Sequence, residues 1–206
     1  MMEKLTNEQI EKIHAALKKI GYLYVDILHE MTDHIASELE LSEGDFDRNL
    51  KLYIGRNKKE LIRFNKRNIF LAWHQSWKGV LLNILTVRFA ALFGLLYLAL
   101  TGVNYVIERE TVIMLMFFVF CLSNGAVSFP EVHRMIKKKD QYSIGEGISI
   151  LNVFVFFPGI FSLRYLQEVT SDSTVALYFT ILLSLCAVMA FTKQRFKSQI
   201  RLRYNG

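Results

Sequence analysis

Proline and cysteine are scarce in this chain of 206 residues. Only two prolines are present, which excludes collagen-like proteins and proline-rich disordered chains. The two cysteines are too few for a disulfide framework or a four-cysteine zinc site. A P-loop, a dinucleotide-binding fingerprint and kinase motifs are also missing. We therefore predict a protein that is not an enzyme and has no bound cofactor or metal.

Long uncharged apolar stretches dominate the C-terminal part of the chain. Four of them cover residues 89–107, 111–129, 147–163 and 173–192. An α-helix rises roughly 1.5 Å per residue, so about 20 apolar residues span the hydrocarbon core of a bilayer, which is about 30 Å thick. Helices of soluble proteins are rarely apolar on every side over this length. The pattern predicts an all-α membrane protein with four transmembrane helices within residues 89–192.

The distribution of Lys and Arg predicts how these helices are oriented. Nine lie between residues 48 and 78, four between residues 130 and 146, and five in the tail, residues 193–206. The other two loops contain only Arg109 and Arg164. Because basic loops stay on the cytoplasmic side, both termini are expected in the cytoplasm and the protein in the bacterial inner (plasma) membrane. The first apolar stretch begins too far into the chain to be a signal peptide.

Residues 1–57 are predicted to form a cytoplasmic helical prefix. Thr6 and Gln9 are spaced as a capping box, Gly21 is suited to end the first helix, and a third helix should start near Asp45. The apolar residues of the first two helices share one face each: Ile10, Ile13, Leu17 and Ile20, then Tyr24, Leu28, Met31, Ile35 and Leu39. Two short helices bury little area alone, so they should pack on the third helix or on a partner.

Residues 58–88 are predicted to form a basic amphipathic juxtamembrane helix. Its candidate membrane-interface anchors are Trp73, Trp77, Lys66, Arg67, Lys78 and Arg88, which would contact anionic headgroups. Specific lipid recognition is the alternative to simple anchoring. Arg88 lies deep in the bilayer if the first span begins at Gly79, but reaches the inner interface if it begins at Phe89, which we adopt. Nucleic acid is not an expected partner, because these charges lie beside the bilayer.

A polar cluster in the prefix is the most chemically suggestive run. His29, Glu30, Asp33 and His34 resemble a zinc-binding HExxH motif. The second histidine is displaced by one position, which rotates it by about 100° around the helix. We interpret the cluster as a surface or hydrogen-bonded polar cluster of the helix. A metal-dependent enzyme with His29 and Asp33 as ligands is the alternative.

Within the spans, the notable residues are Asn124, Asn152 and Pro158. Intramembrane asparagines commonly form hydrogen bonds between helices, and proline commonly kinks a helix. The same residues are candidates for lining an oligomeric pore. No apolar stretch carries a carboxylate at its centre, which argues against a proton-coupled transporter.

The run from Tyr24 to Glu40, YVDILHEMTDHIASELE, resembles a pattern in uncharacterised small multi-pass membrane proteins of Bacteroidetes-type bacteria. In that pattern a helix with Glu-x-x-Asp-His precedes a basic juxtamembrane helix and several spans. The arrangement is also similar to permease-prefix and HAAS-like cytoplasmic modules over about forty residues. The resemblance implies a helical prefix in a bacterial inner-membrane protein and assigns no activity to any residue.

These observations predict a non-catalytic regulatory or scaffold component that engages a cytoplasmic protein partner. The alternative is a subunit of an oligomeric pore or small transporter, and a homo-oligomer fits either function. Residues 1–47 carry a net charge of −7 and residues 48–78 a net charge of +8. The prefix is therefore expected either to present its acidic surface to a partner or to fold onto the basic segment in a salt-sensitive, autoinhibitory contact.

Overall fold

The computed structural model describes residues 4–137, 141–169 and 171–204, and all regular structure within them is helical. The helices are α1 (Asn7–Lys19), α2 (Val25–Leu39), α3 (Phe46–Ile84), α4 (Val87–Asn104), α5 (Arg109–Ile136), α6 (Ser143–Phe161), α7 (Leu163–Val169) and α8 (Asp172–Tyr204). The all-α fold class is confirmed. Lys138 and Lys139, two of the predicted cytoplasmic cations, lie outside the described residues, as do positions 205 and 206 of the tail.

The prefix folds as its sequence pattern predicts. Thr6 and Gln9 form a capping box at the start of α1, and Gly21 follows its end with φ of +102°, a conformation that favours glycine. The predicted stripe of α2 is buried in one apolar cluster with Ile13 and Leu17 of α1. Leu50 and Leu61 of α3 complete that cluster, so the third helix supplies the surface that the two short helices need.

Helix α3 runs without interruption through 39 residues, from the prefix to the start of the first span. The expected boundary between residues 57 and 58 therefore falls inside a helix, and the basic segment 58–88 is not a separate element. A break at Leu85 and Thr86 ends α3, and the Thr86 side chain caps α4 by accepting from the Phe89 N–H. Arg88 lies exposed in the first turn of α4, near the position adopted for the start of the span.

In the part of the chain that the structure describes, four helices are long and apolar enough to cross a bilayer, as predicted: Val87–Asn104, Arg109–Arg134, Ser143–Phe161 and Asp172–Gln199. Their outward faces carry large exposed apolar side chains, such as Leu98, Phe118 and Phe154, which is consistent with a multi-pass membrane protein. Helix α8 packs against α3, α4, α5 and α6 and occupies the centre of the bundle.

Two spans are longer than the apolar stretches that predicted them. Helix α5 continues beyond Phe129, through Pro130, to Ile136, and its 28 residues reach about 42 Å. Helix α8 continues beyond Thr192 to Tyr204. The first charged residues of these two extensions, Glu131 of α5 and Lys193 of α8, pair with each other inside the bundle. A helix need not end where its hydrophobicity ends if its first charged side chains find partners.

Candidate functional site

The first turn of α6, residues 143–147, is the place where the prefix, α3 and α5 meet. Its sequence is Ser-Ile-Gly-Glu-Gly, and Ser143, Gly145 and Gly147 are buried. Small side chains allow neighbouring helices to approach closely. We name this turn the α6 hub.

The prefix binds the hub through α2. The Asp26 carboxylate accepts a hydrogen bond from the Ser143 hydroxyl and another, of 3.3 Å, from the Ser143 N–H. The Tyr24 hydroxyl donates to the Glu146 carboxylate, and the Val25 N–H donates to the Gln141 carbonyl over 2.9 Å. Tyr142, the N-cap residue of α6, provides no side-chain cap. Asp26 therefore supplies from another helix the acceptor that a helix N-terminus normally receives locally.

Helix α3 contacts the hub from a second side. The Ser76 hydroxyl donates to the Ile144 carbonyl over 3.1 Å, and the Trp77 indole N–H donates to the Gly147 carbonyl over 3.0 Å. A Cβ atom on Gly147 would lie only 3.0 Å from the Cα atom of Trp73. The backbones of α3 and α6 are therefore in direct contact, which glycine at position 147 permits.

An ionic cluster on α5 and α8 forms the third side of the hub. Glu131 is 7% exposed, and its carboxylate lies 3.2 Å from the Lys193 ammonium and 3.6 Å from the Arg134 guanidinium. The Lys193 ammonium also donates to the Val127 carbonyl over 2.7 Å. A Cβ atom on Gly145 would lie 2.8 Å from the Glu131 carboxylate, so the cluster abuts the hub directly. The hub thus touches the prefix and the charged ends of two spans at once.

Sequence reasoning missed Glu131 because the uncharged stretch that predicted the second span ends at Phe129, two residues before it. A signal was nevertheless present in helical periodicity. Asn124, Val127 and Glu131 are spaced i, i+3 and i+7, and all three are buried on one face of α5. Continuing the helix past Pro130 would have placed the carboxylate on the inward face.

The structure brings Asn124 and Asn152 together at the interface of α5 and α6. The Asn124 side-chain amide donates to the Asn152 side-chain oxygen over 3.0 Å, and the Asn152 amide donates to the Asn124 carbonyl and the Ser128 hydroxyl over 2.9 and 2.8 Å. The asparagines therefore join two helices within one chain.

Pro158 lies inside α6, and its carbonyl accepts hydrogen bonds from Ser162 and Tyr178.

The prefix polar cluster is divided between two environments. The His29 ring packs edge-on against His14 of α1 with centroids 5.1 Å apart, whereas His34 is exposed and lies 3.7 Å from Glu38. Glu30 and Asp33 are exposed. Within residues 4–137, 141–169 and 171–204, no group of three His, Cys, Asp or Glu side chains is arranged to hold a metal ion. His14 is the residue of this region that sequence reasoning did not single out.

We predict that the prefix loses stability as the pH falls below about 6.5. Burial and the neighbouring His29 and Lys18 lower the pKa of His14, while Glu11 and Asp33 act in the opposite direction. A histidine whose pKa is lower in the folded state binds fewer protons there than in the unfolded chain, so acid favours unfolding. Thermal unfolding of the full chain should show this loss between pH 7 and pH 5. In His14→Phe the slope should be shallower, and an unchanged slope would contradict the assignment.

The predicted interface anchors lie on the surface. Lys66, Arg67, Lys78 and Arg88 are exposed, and Trp77 is 38% exposed although its N–H bonds to the hub. Trp73 is half-buried against Gly147. Contact of these side chains with lipid headgroups stays a prediction, while both tryptophans also join α3 to α6.

The prefix contacts α3 mainly through apolar and uncharged groups, and one exposed ion pair of 2.9 Å joins Lys12 of α1 to Asp47 in the first turn of α3. Besides the apolar cluster, the Tyr22 hydroxyl donates to the Leu61 carbonyl over 2.8 Å, and the Asn65 amide donates to the Gly21 carbonyl over 3.1 Å. Burial of Tyr22 in this contact raises its pKa to about 12. In the described part of the chain, no carboxylate of residues 4–47 pairs with a base of residues 48–78. The salt-sensitive contact expected between the acidic residues 1–47 and the basic residues 48–78 is therefore not formed by the described side chains.

Comparison of this chain with protein-family models, curated proteins and solved structures finds no match.

Proposed function

We propose that this protein is a non-catalytic regulatory or scaffold component of the bacterial inner membrane that engages a cytoplasmic protein through its prefix. The observation that carries the proposal is the α6 hub. This turn of α6 donates hydrogen bonds to Asp26 of the prefix and, at Gly145, lies against the ionic cluster of α5 and α8. A partner that displaces or tightens the prefix therefore acts on the ends of the spans without any new contact in the membrane.

The outer surface of the prefix favours a basic partner. Glu11 of α1 and Asp33 of α2 are exposed, and both carboxylates act electrostatically on the His14 side chain. Glu8 and Glu30 are also exposed. Because α3 takes up the apolar faces of both helices, these carboxylates face away from the packed core. Charge complementarity of this kind increases the association rate and selects the partner.

Crosslinking with the full chain in its native membrane tests the proposal. A partner captured by the wild type should be lost in Glu11→Gln/Asp33→Asn and retained in a matched control, Glu43→Gln/Glu60→Gln, which removes the same charge from exposed positions elsewhere. Equal capture by both variants, or no specific capture by the wild type, would count against the proposal.

We propose that both termini face the cytoplasm. Support comes from the concentration of Lys and Arg before α4, after α5 and at the end of α8. Topology reporters fused to the two ends should give cytoplasmic signals, and opposite signals from the two ends would overturn the orientation.

The pore alternative has less support from the site. Asn152 is fully buried and its amide group is engaged by Asn124 and Ser128, so neither asparagine is free to line a lumen between copies. A homo-oligomer remains compatible with the exposed apolar face of α4, on which Leu95 and Leu98 lie.

A further inference from the structure

A groove of about 540 Å³ lies where the break between α3 and α4 faces α8. Its walls are apolar and include Val87 and Leu92 of α4 and Val188 and Phe191 of α8. Arg88 and Arg195 also line the groove. Both arginines belong to candidate membrane-spanning segments, at the end of the bundle where α3 enters.

The two arginines have no partner in the part of the chain that the structure describes. Neither guanidinium takes part in a hydrogen bond or an ion pair there, and both side chains are exposed. A second cavity, between α5, α6 and α8, differs in this respect, because its Arg134 and Lys193 are compensated by Glu131. The groove therefore combines apolar walls with two cations that lack a counter-charge.

We propose that this groove binds one anionic phospholipid, with the phosphate between Arg88 and Arg195 and an acyl chain along Leu92 and Val188. Arginine suits this role because its planar guanidinium forms paired hydrogen bonds with phosphate oxygens. A free phosphate ion would use the arginines alone and leave the apolar walls uncovered. The lipid satisfies both, and basic pockets between membrane helices are established sites for anionic headgroups.

The site is distinct from general attraction of the basic segment to the membrane. Lys66, Arg67 and Lys78 are exposed on α3 and do not line the groove. A general attraction depends on the number of charges and their distance from the surface. The groove instead requires two particular arginines, which makes the two explanations separable by charge-matched variants.

Native mass spectrometry of the detergent-solubilised full chain tests the site. We expect one phosphatidylglycerol to bind more tightly than phosphatidylcholine with the same acyl chains. Arg88→Gln/Arg195→Gln should weaken phosphatidylglycerol binding on the order of tenfold or more. The control Arg56→Gln/Arg63→Gln removes two exposed arginines from α3 and should leave binding unchanged.

Three results would overturn the proposal: equal binding of the two lipids, equal losses in the two double variants, or displacement of phosphatidylglycerol by an equal concentration of glycerol phosphate. The last would show that the headgroup binds without the acyl chain. Because all four arginines are exposed, both double variants should melt at the wild-type temperature. If the groove variant does not purify, Arg88→Gln and Arg195→Gln alone should each weaken binding.

Discussion

Replacing Glu131 by glutamine is expected to lower the free energy of unfolding by about 3 kcal/mol. The substitution preserves size but removes the negative charge that compensates Lys193 and Arg134, whose side chains are only 14% and 19% exposed. Removing one partner of a buried ion pair leaves the other charge poorly solvated, which is the costly case. Reversible unfolding in detergent micelles measures the loss. Glu110→Gln, an exposed position on the same helix, should change stability by less than about 0.5 kcal/mol.

A double variant separates loss of the pair from loss of one charge. Glu131→Gln/Lys193→Met removes both charges, so it should be more stable than the sum of the two single losses implies. Additive losses would contradict direct pairing between α5 and α8.

Replacing Gly147 by valine is expected to separate α3 from α6 and to cost about 3 kcal/mol. The new Cβ atom would lie 3.0 Å from the Trp73 Cα atom, and a backbone atom cannot move aside as the end of a flexible side chain can. The hydrogen bonds from Ser76 and Trp77 to the hub would be lost with the separation. Unfolding measurements and the fluorescence of the two tryptophans report the effect.

Gly94 provides the matched control for this substitution. It also lies inside a spanning helix, and a Cβ atom there would meet no other atom within 4 Å. Gly94→Val should therefore be nearly neutral. Equal stability of the two variants would mean that α3 and α6 are not in backbone contact at Gly147.

Local patterns predicted much of this fold because their causes are local. The capping box of Thr6 and Gln9 and the buried stripe of α2 depend on spacings of three and four residues. The four spans depend on composition over about 20 residues. The net charge of each segment was a poorer guide, since no ion pair joins the acidic and basic segments among the described residues, and α3 crosses their boundary without a break.

The hub could not be predicted by such patterns. Asp26 and Ser143 are 117 residues apart in the sequence, and Tyr24 and Glu146 are 122 apart. Nothing near Ser143 indicates that its helix is capped by a carboxylate from another helix. The small residues Gly145 and Gly147 were the available signal, since paired glycines at the start of a span permit close contact.

Disulfide trapping in liposomes tests most directly that the prefix is docked on the α6 hub. Asp26→Cys/Ser143→Cys, in a chain with Cys121 and Cys186 replaced by alanine, places thiols at two positions whose side chains are bonded. We predict an intramolecular disulfide in most molecules at both low and high salt. Glu43→Cys/Ser143→Cys, with its first cysteine beyond the other end of α2, should remain reduced. Failure of the first pair to crosslink, or equal crosslinking of both pairs, would contradict the docked prefix.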